Sequence, residues 1–221
     1  DAVQEKARIE TLHSSSEGGD FLLYDAIYCP GFARRLLSCV LKRREVQGSA
    51  GRLKGNCEPA CDVYLDRDLS EIEGRVNSAR QTHTTILFDE EVVMKVFRRV
   101  DDRISLDVEV GRFLTRAGFD QTPNLLGHVA YQRGRWEQVT LAIVNTYVDH
   151  TGTAADEVRR AFDARLDAIA CGEAAQPEDE GGADDGAAPS SSLTEVLMGL
   201  EGGESLARRI GECVGRFHVL I

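Results

Sequence analysis

The sequence predicts an α+β fold, and three observations predict it. Short apolar runs with alternating faces recur between residues 75 and 148, separated by turn-length connections. One amphipathic segment of helical period interrupts them. Further helical periods lie before and after this stretch.

The strands come first. RVNSA, TTILFD and VVMKVF read as successive strands, with Asp89-Glu90-Glu91 as one turn. Arg103–Ala117 reads as a helix whose apolar stripe is Leu106, Val110, Phe113 and Leu114, and Gly118 ends it. LLGHVAYQR and EQVTLAIVNTYV are two more strands joined at Gly134. Upstream, Pro30 and Gly31 open a helix over Phe32–Arg44, with Phe32, Leu36, Leu37, Val40 and Leu41 on one face. Its basic end suits a helix C-terminus. Residues 1–19 end in SSSEGG and read as a linker, 47–62 as a loop and Val63–Leu65 as a short strand. Downstream, Ala154–Ala170, Leu193–Leu200 and Glu204–Ile221 have helical character. Residues 171–192 carry six carboxylates and no basic residue among Gly, Ala, Pro and Ser, and are expected to be a disordered loop.

Bulk properties exclude several classes. The chain has 221 residues, 42% hydrophobic and 29% charged, as in a globular protein with a real core. A net charge of -11 argues against general affinity for nucleic acid or anionic membrane. No apolar run approaches the ~20 residues that span a bilayer. The start, DAVQEKARIE, has no basic region or apolar signal core, so a cytoplasmic location is expected. It lacks an initiator Met, and GRFHVLI ends on an apolar run, so a segment of a longer chain is expected. Of six Cys, only Cys57 and Cys61 lie close together. No second Cys/His cluster follows to complete a zinc site, and reduced thiols are expected.

Chemistry centres on Lys95. An amine between Met94 and Val96 is costly to bury unless paired. Alternation places Val93, Lys95 and Phe97 on one face, from which Lys95 could meet an anion in a cleft. The following helix offers Glu109, beside Leu106 and Phe113. A strand lysine paired to a helix glutamate directs the amine at nucleotide phosphates in kinase-type folds, but spacing alone favours a plain salt bridge at the sheet edge. No glycine-rich phosphate loop occurs. Gln81, Thr82, His83, Thr84 and Thr85 form a polar stretch whose hydroxyls and N–H groups could serve instead, or simply form a surface turn.

Three blocks carry a resemblance: QTHTTILFDEEVVMKVFRR, LDVEVGRFLTRAGFDQTPNLLG and TLAIVNTYV. Together they resemble the N-terminal part of the bacterial maltokinases, which occur alone or fused behind trehalose synthase. LYDAIYCPGFARRLLSCVLKRR and LARRIGECVGRFHVL are similar to other parts of that family. The resemblance implies an aminoglycoside-phosphotransferase-like (protein-kinase-like) small lobe with an antiparallel sheet and one packed helix. Residues 1–70 would be an N-terminal cap subdomain, 71–170 the small lobe, and 193–221 the helical start of the link to an absent catalytic lobe. The implied reaction is ATP-dependent phosphorylation of maltose to maltose 1-phosphate in trehalose and α-glucan metabolism. Lys95 would hold ATP phosphates, Glu109 would position it, and Gln81–Thr85 would be the phosphate loop. Asn145, Thr146, Tyr147 and Val148 would be the hinge meeting adenine. Magnesium would be held in the absent lobe, which would also take maltose. Trehalose synthase, fused or separate, is the implied protein partner.

The chain departs from the family's pattern. Arg80 replaces the loop's leading Glu, and the hinge reads Asn145-Thr146-Tyr147-Val148. The family's H-G-D-x-H and D-F-E blocks are absent from these residues. Two alternatives remain open at this level: a non-catalytic, pseudokinase-like partner of trehalose synthase, and an unrelated α+β protein. Without a base and metal carboxylates, the purified 221-residue chain is expected to show no turnover of maltose and ATP in a coupled ADP-release assay. Measurable turnover would overturn this expectation.

Overall fold

A seven-stranded antiparallel sheet organises the first 149 residues, in the order β3-β4-β8-β9-β7-β6-β5. The computed structural model describes residues 5–13, 19–70, 72–77, 83–135, 138–171 and 203–220. They fall into two units, Asp1–Asp149 and His150–Ile221. The chain is thus α+β with antiparallel sheets.

The strands are β1 (Arg8–His13), β2 (Asp20–Tyr24), β3 (Glu45–Gln47), β4 (Arg52–Cys57), β5 (Gly74–Asn77), β6 (His83–Phe88), β7 (Val92–Phe97), β8 (Leu125–Gln132) and β9 (Val139–Thr146). The helices of the first unit are α1 (Pro30–Leu41) and α2 (Leu106–Arg116). β1 and β2 pair with each other as a separate two-stranded sheet. β1 lies in the stretch expected to be a linker, because pairing with β2 supplies backbone partners that its polar sequence does not advertise.

The main core fills the space between the sheet and α1. Ala33, Leu37, Val40 and Leu41 of α1 meet Ile86, Phe88, Val92, Met94, Leu126, Val129, Ala142 and Val144. The period-2 pattern of β6 and β7 explains this, since Thr84, Ile86 and Phe88, and Val92 and Met94, are the buried positions. Segments on both sides of residue 70 share this core.

Two expectations fail next to α1. Residues 47–62 are not a loop: β4 pairs along its whole length with β8. Gly55 makes this possible, because a Cβ there would lie 1.7 Å from the Cys39 carbonyl oxygen. The glycine that suggests a loop instead permits close backbone approach. Val63–Leu65 is not a strand, since Pro59–Tyr64 forms a 3₁₀ helix. Cys57 and Cys61 flank its start and are joined as a disulfide, contrary to the expectation of reduced thiols. Nearness in the fold, not spacing to other cysteines, brings them together.

The opposite face of the sheet is covered by α2 over a smaller patch of Val108, Leu125 and Ile143, with Phe97 and Ile104 beside it. α2 starts at Ser105, whose side chain accepts from the Asp107 N–H. Gly118 follows its C-cap at φ +69, as expected. Its buried residues are Val108 and Leu114, whereas Leu106, Val110 and Phe113 are exposed. The apolar stripe expected from sequence is therefore not the packed face. Polar tethers described below hold the other side of the helix to the sheet.

The second unit contains α3 (Ala154–Ala170) and α4 (Gly203–Leu220). Thr153 and Asp156 cap α3 reciprocally: the Thr153 Oγ accepts from the Asp156 N–H, and the Asp156 carboxylate accepts from the Thr153 N–H and Oγ. The acidic loop and the Leu193–Leu200 helix expected from sequence lie outside the described residues.

The β6–β7 turn puts two non-glycine residues in the left-handed region, Asp89 at φ 47 and Glu90 at φ 54. Arg67 ion-pairs with both Asp89 and Glu91, holding the turn. Glu90→Gly is expected to raise stability by about 1 kcal/mol in urea unfolding, since glycine carries no penalty at this φ.

Candidate functional site

Strand alternation sorts the candidate residues onto two faces. His83, Thr85, Lys95 and Asn145 lie on the α2 side of the sheet. Thr85 is directly across from Lys95, Lys95 is across from Ile143, and Ile143 packs under Val108. Lys95 is half-buried there and makes no ion pair or hydrogen bond among the described residues. His83 is near enough that Lys95 and Asp107 both act on its ring. Burial lowers its pKa first, Lys95 lowers it further and Asp107 opposes them, so the ring is kept neutral.

Thr84 belongs to the other face. It is buried, and its Oγ1 accepts from Arg98 Nε at 2.8 Å. Arg98 also pairs with Asp25 at 3.1 Å, so Thr84 and Arg98 tie β6 to the turn before α1. His83, Thr84 and Thr85 are strand residues, not loop residues. Gln81 and Thr82 lie outside the described residues.

Glu109 is exposed on α2, and no ion pair within 4.0 Å joins it to Lys95 among the described residues. The carboxylate that acts on His83 is Asp107, at the helix N-terminus. It stands two residues before Glu109 in LDVEVGRFL, where its first-turn position was the available signal. At the expected hinge, the Thr146 N–H donates to the Asn124 carbonyl at 3.0 Å and the Tyr147 N–H donates to the Glu91 carbonyl at 2.7 Å. Thr146 Oγ1 accepts from the Asn124 N–H. Val148 is exposed.

α2 is held by a buried carboxylate that sequence reasoning missed. Glu58, at the end of β4, accepts from Arg112 Nε at 2.7 Å and from Arg116 at 3.2 Å. The two arginines are one turn apart and so share a face of α2. His128 of β8 is buried on this side of the sheet, between the charges of Arg112, Glu58 and Lys54. Burial pushes its pKa down to about 4, with Arg112 and Lys54 adding and Glu58 opposing. Its Nδ1 has no hydrogen-bond partner among the described residues.

No protein-family model matches the chain. Among solved structures, it is similar to a glucosamine kinase in complex with glucosamine, ADP and inorganic phosphate, with 20% sequence identity and a TM-score of 0.39. The match covers 72% of this chain and 33% of the other, so the chain spans about a third of that protein's length.

His128 gives the fold a pH dependence of determined sign. Its folded pKa lies below the ordinary 6.5, so the unfolded chain binds the proton first as pH falls. Its contribution is present above about pH 6.5 and is lost as pH falls toward about 4, by up to about 3 kcal/mol. Urea midpoints measured across this window should fall for the wild type and fall less for His128→Gln.

Proposed function

We propose that this chain is the nucleotide-gripping lobe of an ATP-dependent sugar kinase, with maltose as the acceptor, and that turnover requires residues outside these 221. One observation carries the reading. The order of elements is strand, strand, lysine strand, helix, strand, strand, and Lys95, His83, Thr85 and Asn145 share the face that the helix covers. Kinase small lobes place their phosphate-binding lysine on such a strand, immediately before the helix that orients it. The resemblance of the sequence blocks to maltokinases is what suggests maltose as the acceptor.

The residues fit part of the task. ATP would bring the transferable phosphoryl group. Lys95, half-buried and unpaired among the described residues, would hold its phosphate oxygens, with Thr85 directly across the strand pair. Asp107 is the carboxylate that acts on His83 in this cluster. Magnesium does not fit the same way. Among the described residues no three His, Cys, Asp or Glu side chains come together to hold a metal, so no step is assigned through one.

A second reading, a non-catalytic partner of trehalose synthase, is favoured by a separate observation. The hinge N–H groups of Thr146 and Tyr147 already have protein acceptors, and Lys95 lacks its expected glutamate.

Calorimetric titration of the chain with ATP and with ADP separates the two readings. Saturable binding is expected, weakened at least tenfold by Lys95→Ala or Lys95→Met with little change in melting temperature. Wild-type protein that binds neither nucleotide, yet binds trehalose synthase, would support the second reading and sink the first.

A further inference from the structure

A cavity of about 490 Å³ opens between β4 and the C-terminal half of α2. Its walls include four cations, Arg43, Lys54, Arg112 and Arg116, and one carboxylate, Glu58. In a chain of net charge -11, that local balance has the opposite sign to the whole.

The fold builds the cavity deliberately from alternation and helical period. Gly55 presses against the α1 backbone, so its strand neighbours Lys54 and Asn56 point to the α2 side. Lys54 makes no hydrogen bond or ion pair among the described residues. Arg112 and Arg116 project from one face of α2 toward the same side. Glu58 engages one nitrogen of each guanidinium and fixes both side chains. Their remaining N–H groups have no acceptor among the described residues. Arg43 reaches the rim, where Asp62 pairs with it at 2.8 Å. One carboxylate needs at most two cations, so Lys54 is surplus to the internal pairing.

We propose that this cavity binds the phosphoryl group of a small phosphorylated metabolite, held by Lys54, Arg112 and Arg116. Guanidinium forks and an ammonium are the groups that recognise phosphate oxygens, and Glu58 orients the forks in advance. The volume falls in the range of small-molecule pockets and leaves room for an organic body attached to the phosphate. None of the lining residues belongs to the Lys95 cluster, so this site stands independently of the proposed nucleotide grip. Because Arg112 and Arg116 belong to the helix whose N-terminal Asp107 acts on His83, occupancy would bear on the element that borders that grip.

The test is calorimetric titration with inorganic phosphate and with glycerol 3-phosphate, each against chloride at matched ionic strength. Wild-type protein should bind glycerol 3-phosphate saturably with a 1:1 stoichiometry, at least as tightly as inorganic phosphate. Lys54→Met should weaken this at least tenfold, and Lys54→Met/Arg116→Gln further, while Glu58 keeps Arg112 and the melting temperature reports an intact fold. Lys95→Ala should leave it unchanged. No saturable binding by the wild type, or unchanged binding by the double variant, would overturn the site. Loss on Lys95→Ala alone would place the anion at the other cluster and overturn it equally. Binding of inorganic phosphate with exclusion of the ester would overturn the assignment to a phosphorylated metabolite.

Discussion

The placement of α2 depends on one buried carboxylate. The helix covers the sheet through only a few apolar side chains, Val108 against Leu125 and Ile143, with Leu114 nearby. Fully burying each such side chain contributes roughly 1.5–3 kcal/mol, comparable to the roughly 3–5 kcal/mol lost when one partner of a buried ion pair is removed. Glu58, with its grip on Arg112 and Arg116, is therefore not a decoration on a hydrophobic contact. Together with the Ser105 N–H donating to Thr140 Oγ1 and the Leu125 N–H donating to Thr115 Oγ1, it holds the helix in the rotation that leaves Leu106, Val110 and Phe113 outside and Val108 inside.

That rotation also decides which acid meets which base. With Val108 inward, Asp107 acts on His83, and Glu109 stands exposed and apart from Lys95. The two faces of the sheet consequently do different work. The α1 face holds the large apolar core and the Thr84–Arg98–Asp25 tie. The α2 face is thinly apolar and carries the ionisable groups, Lys95 and His83 toward the helix start and Lys54 and His128 toward its end. Lys95 and Lys54 on this face are only half-buried, so their amines keep access to water without an ion pair among the described residues.

Much of the fold was legible. β6, β7, β8, β9 and α3 match their expected segments closely, because each is a periodic or continuous apolar run bounded by turn signals. β1 and β4 were illegible because their partners, β2 and β8, decide them. β4 in particular reads RLKGNC, which has no β-branched residue and a central glycine that reads as a turn signal. The Cys57–Cys61 disulfide was missed for a similar reason, since a 3₁₀ helix brings together two thiols that spacing alone left unassigned.

The sequence by itself determined the α+β order of elements and the face of β7 that carries Lys95, because both follow from local period. Only the tertiary structure decided the rotation of α2, the pairing of Glu58 with Arg112 and Arg116, and the cationic cavity beside Lys54. Those depend on side chains 54 and 58 residues apart meeting at one point, which a local period does not record.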